Sequence, residues 1–269
     1  WWIVNVYVSD RVLIAGTDAI KLTSGDVYQR AHTIFQKAGI PHTKLYMIDS
    51  PIYNGLATGM NIGRGTVMLT KATMNLPIES VEAILVHEAI HVKRRDVLTN
   101  QLARMLFFGF IALVVSLFYD QIRLLAENLF VFIPLVYVLL LLFPIYLSFV
   151  AQWMEVRADH FGSKLLEAGH QQMAQGLIDL GHAQDEDLDK AAQYSIVKDK
   201  RNKDMKSTER ENWFFRYIGF QFQLHPPLYW RIISLLKKQQ SWKSVKKAWM
   251  KSRVTESLPD FFFKQRKAK

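Results

Sequence analysis

A long run without any charged side chain is the feature that most constrains how this chain folds. Between Glu127 and Glu155 the sequence reads NLFVFIPLVYVLLLLFPIYLSFVAQWM, which is 27 residues without Asp, Glu, Lys or Arg. A helix of ~20 apolar residues crosses the hydrocarbon core of a bilayer. Pro134 and Pro144 can kink such a helix without excluding it from a membrane. The run therefore predicts a membrane-spanning helix.

A second apolar stretch, MLFFGFIALVVSLFY, lies between Arg104 and Asp120. Its 15 uncharged residues fall short of the ~20 that an upright span needs. For both stretches the alternative is a pair of buried core helices. We interpret residues 101–153 as a transmembrane hairpin in which QIRLLAEN forms a tight, weakly charged turn.

Most basic side chains near this hairpin lie at the outer ends of its two apolar stretches. Lys93, Arg94, Arg95 and Arg104 precede the first stretch, and Arg157 follows the second. The turn carries only Arg123. Because positively charged flanks remain in the cytoplasm, both outer ends of the hairpin are expected to face that side. The predicted location is the cell membrane, with a multi-pass chain whose catalytic part faces the cytoplasm.

The part of the chain before the hairpin mixes helix and strand. Residues 19–39 show helical spacing that ends at Gly39, and KLYMIDS and TVMLT are typical of strands. The opening WWIVNVYV is either the end of a hydrophobic segment or a first strand. A further helix is predicted to begin near Pro77, because apolar residues then recur with a helical period, at Val81, Ile84, Leu85, Ala89 and Ile90.

That helix contains the motif HEAIH. His87 and His91 project from one helix face about one turn apart, so both imidazoles can bind one ion. Glu88 points in another direction and can accept a proton from water without binding the metal. Since the chain has no cysteine, histidine and carboxylate remain as the ligands. The motif predicts a catalytic metal site; the alternative is an amphipathic helix whose histidines are satisfied by neighbours.

Two carboxylates follow the long apolar run, in MEVRADHFG. A catalytic zinc takes three protein ligands, and the hairpin returns Glu155 to the side of the membrane where His87 lies. Asp159 is one helical turn further. The pair can supply one ligand carboxylate and one carboxylate that holds the second ring nitrogen of a ligand histidine. The alternatives are a helix-end ion pair with Arg157 for Glu155 and a surface charge for Asp159.

The order of these motifs is that of a known family. HEAIHVKRRD, two apolar stretches and then EVRAD resemble the HtpX-type integral-membrane zinc proteases, which are related to the CAAX prenyl endopeptidases. Upstream, LYMIDSPIYNGLATG resembles the family's strand and loop with an asparagine motif. Downstream, HPPLYWRI resembles its histidine-proline segment. The likeness covers roughly residues 10–236, in the family's order.

The resemblance implies three ligands for one Zn²⁺ ion: His87, His91 and Glu155. It implies that Glu88 is the general base and that Asn54 lies beside the cleft, where an extended substrate can add as a strand. It also places His225 and Arg231 at the border of the site. His225 could stabilise an oxyanion or merely cap the helix that follows Pro227. Arg231 could contact substrate or form a structural ion pair.

The expected fold class is mainly α with a small β-sheet, a gluzincin-type metalloprotease domain interrupted by a transmembrane helical hairpin. The expected parts are the first half of the protease domain with the HExxH helix (1–100), the hairpin (101–153), the second half with the third ligand (154–240) and a basic tail (241–269). The chain departs from the family at Gly55, where alanine is usual. The family usually has two further spans before the first strand, and we expect WWIVNVYV to be at most a remnant of them. Residues 183–212 are charged and do not align with the family's pattern.

The chain is strongly basic for one that is 50% hydrophobic, with a net charge of +10. This points to nucleic acid or an anionic membrane as a neighbour. The tail has no recognisable nucleic-acid-binding signature, so the expected partners are a lipid bilayer and a protein or peptide substrate. Trp242, Val245 and Trp249 share a helix face, which suits either an interfacial helix or a helix packed on its own domain.

We therefore expect a membrane-bound zinc endopeptidase that hydrolyses membrane or misfolded proteins at the cytoplasmic face, as in protein quality control. One alternative is a processing protease for a prenylated, signal or regulatory peptide. The other is a membrane-anchored binding protein with a degenerate metal site. The presence of every ligand and of the base disfavours this last interpretation.

Overall fold

The computed structural model describes residues 10–58, 65–194, 206–237 and 241–264. The opening WWIVNVYV lies outside the described residues. Residues 10–16 are helical. The strands are β1 (Ile20–Lys21), β2 (Lys44–Ile48), β3 (Gly55–Thr58) and β4 (Thr66–Thr70). The helices that follow are α1 (Asp26–Ala38), α2 (Lys71–Met74), α3 (Ile78–Arg94), α4 (Asp96–Leu117), α5 (Tyr119–Ala126), α6 (Leu129–Gly162), α7 (Gly169–Tyr194), α8 (Trp213–Gln221), α9 (Leu228–Leu236), α10 (Trp242–Thr255) and α11 (Phe261–Lys264).

The four strands form one mixed sheet in the order β1-β2-β4-β3. β2 and β4 run parallel, and β1 and β3 pair antiparallel to them. All five residues of β4 are buried, as its apolar run Val67–Leu69 requires of a central strand. The strand order places β3 at one edge of the sheet among the described strands. The expected fold class, mainly α with a small sheet, is confirmed.

Helix α1 begins later than the apolar spacing of residues 19–39 predicts. Ile20 and Lys21 form β1 instead and pair with Met47 and Tyr46 of β2. Gly25, at φ 99°, precedes the helix. The predicted end is confirmed, because Gly39 closes the helix in the left-handed conformation that glycine adopts readily. Apolar spacing alone did not reveal that the first residues extend the sheet.

Helix α3 is the centre of the globular part and packs against α1, α6, α7 and β3. It begins after Pro77 and ends at Arg95, which takes a left-handed conformation with φ 54°. Its residues from Ser80 to Ile90 are all buried except Glu82, so the helix is enclosed on every side. The motif HEAIH therefore lies within packed protein.

The two apolar stretches form α4 and α6, which the predicted hairpin requires. Both are long and apolar enough to cross a membrane. Their apolar side chains are mostly exposed, so the alternative of two buried core helices is wrong. α4 begins eight residues before Arg104 and so reaches 22 residues. The expected tight turn is itself a short helix, α5.

Helix α10 runs antiparallel along the domain end of α6. Trp242 packs beside Phe161, with ring centroids 5.6 Å apart, and Trp249 packs beside Phe149 at 5.0 Å. Val245 and Trp249 are buried. The interpretation as an interfacial helix is therefore wrong for this face, which packs on its own domain.

Helices α7 and α3 are in close contact at Gly176. A Cβ added there would lie 2.6 Å from Ala83 Cβ, so the two helices can touch only because this residue has none. Gly176→Ala is expected to destabilise the fold by about 1–3 kcal/mol, the usual cost of overpacking. Thermal unfolding of the detergent-solubilised chain measures it. Gly109→Ala, where no atom lies within 4 Å of the new Cβ, is the matched control; equal melting temperatures for both variants would contradict the close packing.

Candidate metal centre

The two motif histidines meet at their outer ring nitrogens. One turn of α3 brings His87 Nε2 to 3.0 Å from His91 Nε2. The rings are nearly perpendicular, with centroids 4.6 Å apart. Only about a tenth of each side chain is exposed. Two buried imidazoles thus direct lone pairs toward one small volume.

Glu155 reaches that volume from α6, across the hairpin. Its Oε2 lies 3.2 Å from His87 Nε2 and its Oε1 lies 3.3 Å from His91 Nε2. The carboxylate is 9% exposed, and its Oε2, although 2.9 Å from the ring of His225, makes no hydrogen bond of good geometry with the described residues. A buried carboxylate oxygen without such a bond is costly unless a cation balances it. The structure therefore brings the three predicted ligands together.

These donor atoms fit a zinc ion. Around a tetrahedral Zn²⁺ with ligands at ~2.0–2.1 Å, ligand atoms stand ~3.3 Å apart. The three observed separations are 3.0, 3.2 and 3.3 Å. The same three residues form the group with metal-binding geometry found among the described parts of the chain. Two histidines and one carboxylate leave a fourth position, as catalytic zinc sites do.

The electrostatics of the histidines show how strongly this volume attracts positive charge. Burial by itself lowers the pKa of His87 and of His91. The Glu155 carboxylate, together with Asp159 at His87 and Asp96 at His91, outweighs that effect, so the pKa of His87 is raised and that of His91 is raised well above its ordinary value. A divalent cation would satisfy the same carboxylate.

The inner ring nitrogen of each histidine is held by a carboxylate. His87 Nδ1 lies 2.9 Å from Asp159 Oδ1, and Asp159 is buried rather than at the surface. Arg231 donates two hydrogen bonds to Asp159, Nε to Oδ2 at 2.8 Å and Nη2 to Oδ1 at 2.7 Å. Such bonds fix the tautomer and orientation of a ligand histidine.

The equivalent partner of His91 is Asp96, which the sequence reasoning missed. Asp96 Oδ2 lies 2.7 Å from His91 Nδ1, and its Oδ1 accepts a hydrogen bond from Arg157. Arg157 therefore pairs with Asp96 and not with Glu155. The available signal was an acid directly after the basic end of the motif helix, in HVKRRD. The left-handed turn at Arg95 is what points Asp96 back at the histidine.

Glu88 lies against the edge strand. A Cβ added to Gly55 of β3 would stand 3.2 Å from Glu88 Oε1 and 3.0 Å from Ile84 Cγ2. The carboxylate therefore fills space that the absent Cβ leaves beside β3. Asn54, just before Gly55, is exposed. Its backbone is fixed by hydrogen bonds with the Thr70 and Thr73 hydroxyls.

The two residues of the downstream segment have different surroundings. His225 is 65% exposed, and its Nδ1 lies 2.9 Å from Glu155 Oε2. It precedes α9, whose first residue is Leu228. Arg231 is 8% exposed and bonded to Asp159, with its Nη1 3.6 Å from Glu155. Of the two interpretations of Arg231, a substrate contact or a structural ion pair, the structure shows the ion pair, with Asp159.

A comparison with known families shows which family this chain belongs to. The family model described as Peptidase family M48 matches residues 21–239. The chain belongs to peptidase family M48. That range includes both histidines, the carboxylates of α6 and the segment around Arg231, and the predicted HtpX-type resemblance is confirmed.

Curated relatives carry the name protease HtpX homolog. The protein from Pelotomaculum thermopropionicum is 33% identical over 103 residues, 37% of each chain. The one from Campylobacter concisus is 30% identical over 118 residues, 42% of this chain and 41% of its own. The one from Sulfurovum sp. is 27% identical over 155 residues, 56% of this chain and 55% of its own. The chain thus matches between about a third and just over half of these relatives' length.

Asp96 offers a test of the histidine geometry that does not depend on activity. Asp96→Asn removes the charge that holds His91 Nδ1, and we expect zinc affinity to fall about 10–100-fold. Competition with a chromophoric chelator measures the change. Asp49→Asn is the control, because Asp49 is an exposed acid paired with Lys71 away from the histidines. Unchanged affinity in the Asp96 variant would show that its contact with His91 does not orient the ligand.

Proposed function

We propose that this protein is a membrane-bound zinc endopeptidase with His87, His91 and Glu155 as the metal ligands. One observation carries the proposal: two histidines of α3 and a carboxylate of α6 converge within 3.3 Å of one another, with Glu88 beside them on the same helix. Membership of peptidase family M48 supports the same reaction class.

The proposed chemistry is hydrolysis of a peptide bond by water. His87, His91 and Glu155 would hold the zinc ion, which when bound would supply polarisation of the substrate carbonyl and a lowered water pKa, toward ~7. Glu88 accepts the proton of the attacking water on its carboxylate and delivers it to the departing amide nitrogen. Asp159 and Asp96 keep His87 and His91 in position throughout, because each holds an inner ring nitrogen.

The edge strand β3 is the proposed binding surface for substrate. An extended peptide can pair with a free strand edge through main-chain hydrogen bonds. Gly55 brings the face of this strand close to Glu88, so a peptide paired with β3 would lie near the base. Asn54 is exposed at the start of the same strand, where its side chain can bond the peptide.

His225 has two proposed roles, one toward Glu155 and one toward a bound substrate. Its contact with Glu155 orients the third ligand. Because its ring is largely exposed, it can also face the substrate and donate to the oxyanion of the tetrahedral intermediate, a contribution of a few kcal/mol when well aimed.

The hairpin supports the proposed location. Helices α4 and α6 are exposed and apolar, and both of their domain ends lead to the metal centre. With basic residues at those ends, the protease part faces the cytoplasm. The proposed substrates are membrane proteins or misfolded proteins at that face. A narrower processing role for a prenylated, signal or regulatory peptide uses the same chemistry, and cleavage of an unrelated unfolded protein distinguishes the two.

Glu88→Gln tests the catalytic assignment. The amide cannot accept a proton, so casein cleavage is expected to fall by at least ~10²-fold, the low end of a general base's contribution. Zinc content should remain at one ion per chain, since Glu88 is not a proposed ligand. Glu79→Gln, an exposed acid in the first turn of the same helix, is the matched control. Equal cleavage by the Glu88 variant and the parent would refute the role of Glu88. No cleavage by the zinc-loaded parent would favour a degenerate, binding-only site.

The orientation of the hairpin can be tested because the chain has no native cysteine. In spheroplasts of a bacterial host, a membrane-impermeant maleimide should label the Arg123→Cys variant, which lies on α5. The Lys37→Cys variant, exposed on α1, should be labelled only after the membrane is permeabilised. The reverse pattern would place the protease part outside the cytoplasm.

A further inference from the structure

The exposed aromatic side chains outside the hairpin are concentrated in one place. Among the described residues outside α4–α6, every exposed Trp, Tyr or Phe lies at the start of α8 or on α11. They are Trp213 (39%), Phe214 (51%), Phe215 (52%), Phe261 (65%) and Phe262 (60%). Val254 and Leu258, also exposed, precede α11. We call these seven residues the aromatic patch.

Buried Arg216 holds the two parts of this patch together. Its guanidinium bonds the Glu211 carbonyl at 2.7 Å and Asp260 at 2.8 Å, and pairs with Glu256 at 2.9 Å. Arg210 pairs with the same two carboxylates. The acidic groups beside the patch are therefore neutralised by arginine, and the start of α8 is fixed next to α11.

The direction of α10 places the patch at the membrane end of the domain. Trp242 begins that helix beside Phe161, and Trp249 lies beside Phe149. Arg253 then bonds Gln152. From Trp242 to Trp249 and Arg253, the neighbouring α6 residues change from Phe161 to Phe149 and Gln152, which belong to the charge-free run. The residues after Arg253 therefore extend to the level where α6 enters the apolar span.

The C-terminal end of α8 reaches the same level, and Arg216 ties the start of α8 to Glu256 and Asp260, which follow Arg253. Gln152 donates to the Gly219 carbonyl at 2.8 Å, and Ser148 donates to the Gln223 carbonyl at 2.8 Å. Both α6 residues lie in the last two turns of the charge-free run. Aromatic side chains at such a level are typical of membrane–water interfaces, where their rings lie among the headgroups.

We propose that the aromatic patch inserts into the headgroup region of the same leaflet from which the hairpin emerges. It would form a second membrane contact that fixes the tilt of the protease part on the bilayer. The charge of the neighbouring sequence supports this occupant, because residues 264–269 contain four basic and no acidic residues, which anionic lipid attracts. This inference does not depend on zinc binding or on peptide hydrolysis.

Site-directed spin labelling of the full chain in vesicles of phosphatidylethanolamine and phosphatidylglycerol tests the proposal. Labels are attached to single-cysteine variants Phe214→Cys and Phe262→Cys. Leu188→Cys is the matched control, since Leu188 is an apolar side chain, 69% exposed, on α7. Leu140→Cys, 63% exposed within α6, gives the reference for the bilayer interior. Collision rates with oxygen and with a water-soluble nickel chelate are measured at each position.

The expected result is an oxygen-to-nickel collision ratio at positions 214 and 262 that is shifted from the value at 188 toward the value at 140. A ratio equal to that at 188 would place the patch in water and overturn the proposal. Low collision rates with both reagents would mean that protein covers the patch, either a second copy or a bound polypeptide, and would overturn it equally. All four positions are exposed, so the substitutions leave the packed core intact.

Discussion

The approach of Glu155 to His87 and His91 is the contact on which the rest of the structure depends. It joins α3 to α6 across two apolar helices, and neither half of the chain contains the site alone. Three carboxylates, Glu155, Asp159 and Asp96, are buried around two imidazoles. Burying each charge costs several kcal/mol unless it is paired. Two arginines, Arg231 and Arg157, balance part of that charge. A cation between the ring nitrogens would balance more, and its binding would then be coupled to folding.

Much of this site could be predicted because local periodicity and hairpin geometry carry it. A four-residue spacing on a helix places His87 and His91 on one face, and a membrane hairpin returns Glu155 to the side that the chain left. Asp159 then follows one turn later on the same helix. The positions of these side chains match that reasoning, while their roles as ligands, base and orienting group remain predictions until metal and cleavage are measured.

The features that sequence reasoning missed depend on packing between distant segments. The acid beside His91 is Asp96 because a left-handed residue ends α3 and turns the chain back, which no periodicity shows. Ile20 and Lys21 belong to the sheet through pairing with β2, despite helical spacing around them. Trp249 and Val245 have the pattern of a lipid-facing stripe, yet α6 covers them. In each case a partner far along the chain, not the local pattern, decides the outcome.

Helix α6 runs unbroken for 34 residues through Pro134 and Pro144, a length of about 51 Å at the usual rise. Its first part lies in the apolar span and its last two turns carry Glu155 and Asp159. No loop separates the apolar span from Glu155, because the ten residues that follow Pro144 up to Met154 are all helical. The thickness of a surrounding bilayer, which sets how far such a helix tilts and protrudes, would thereby set the height of Glu155, and of the α3 histidines packed against it, above the membrane.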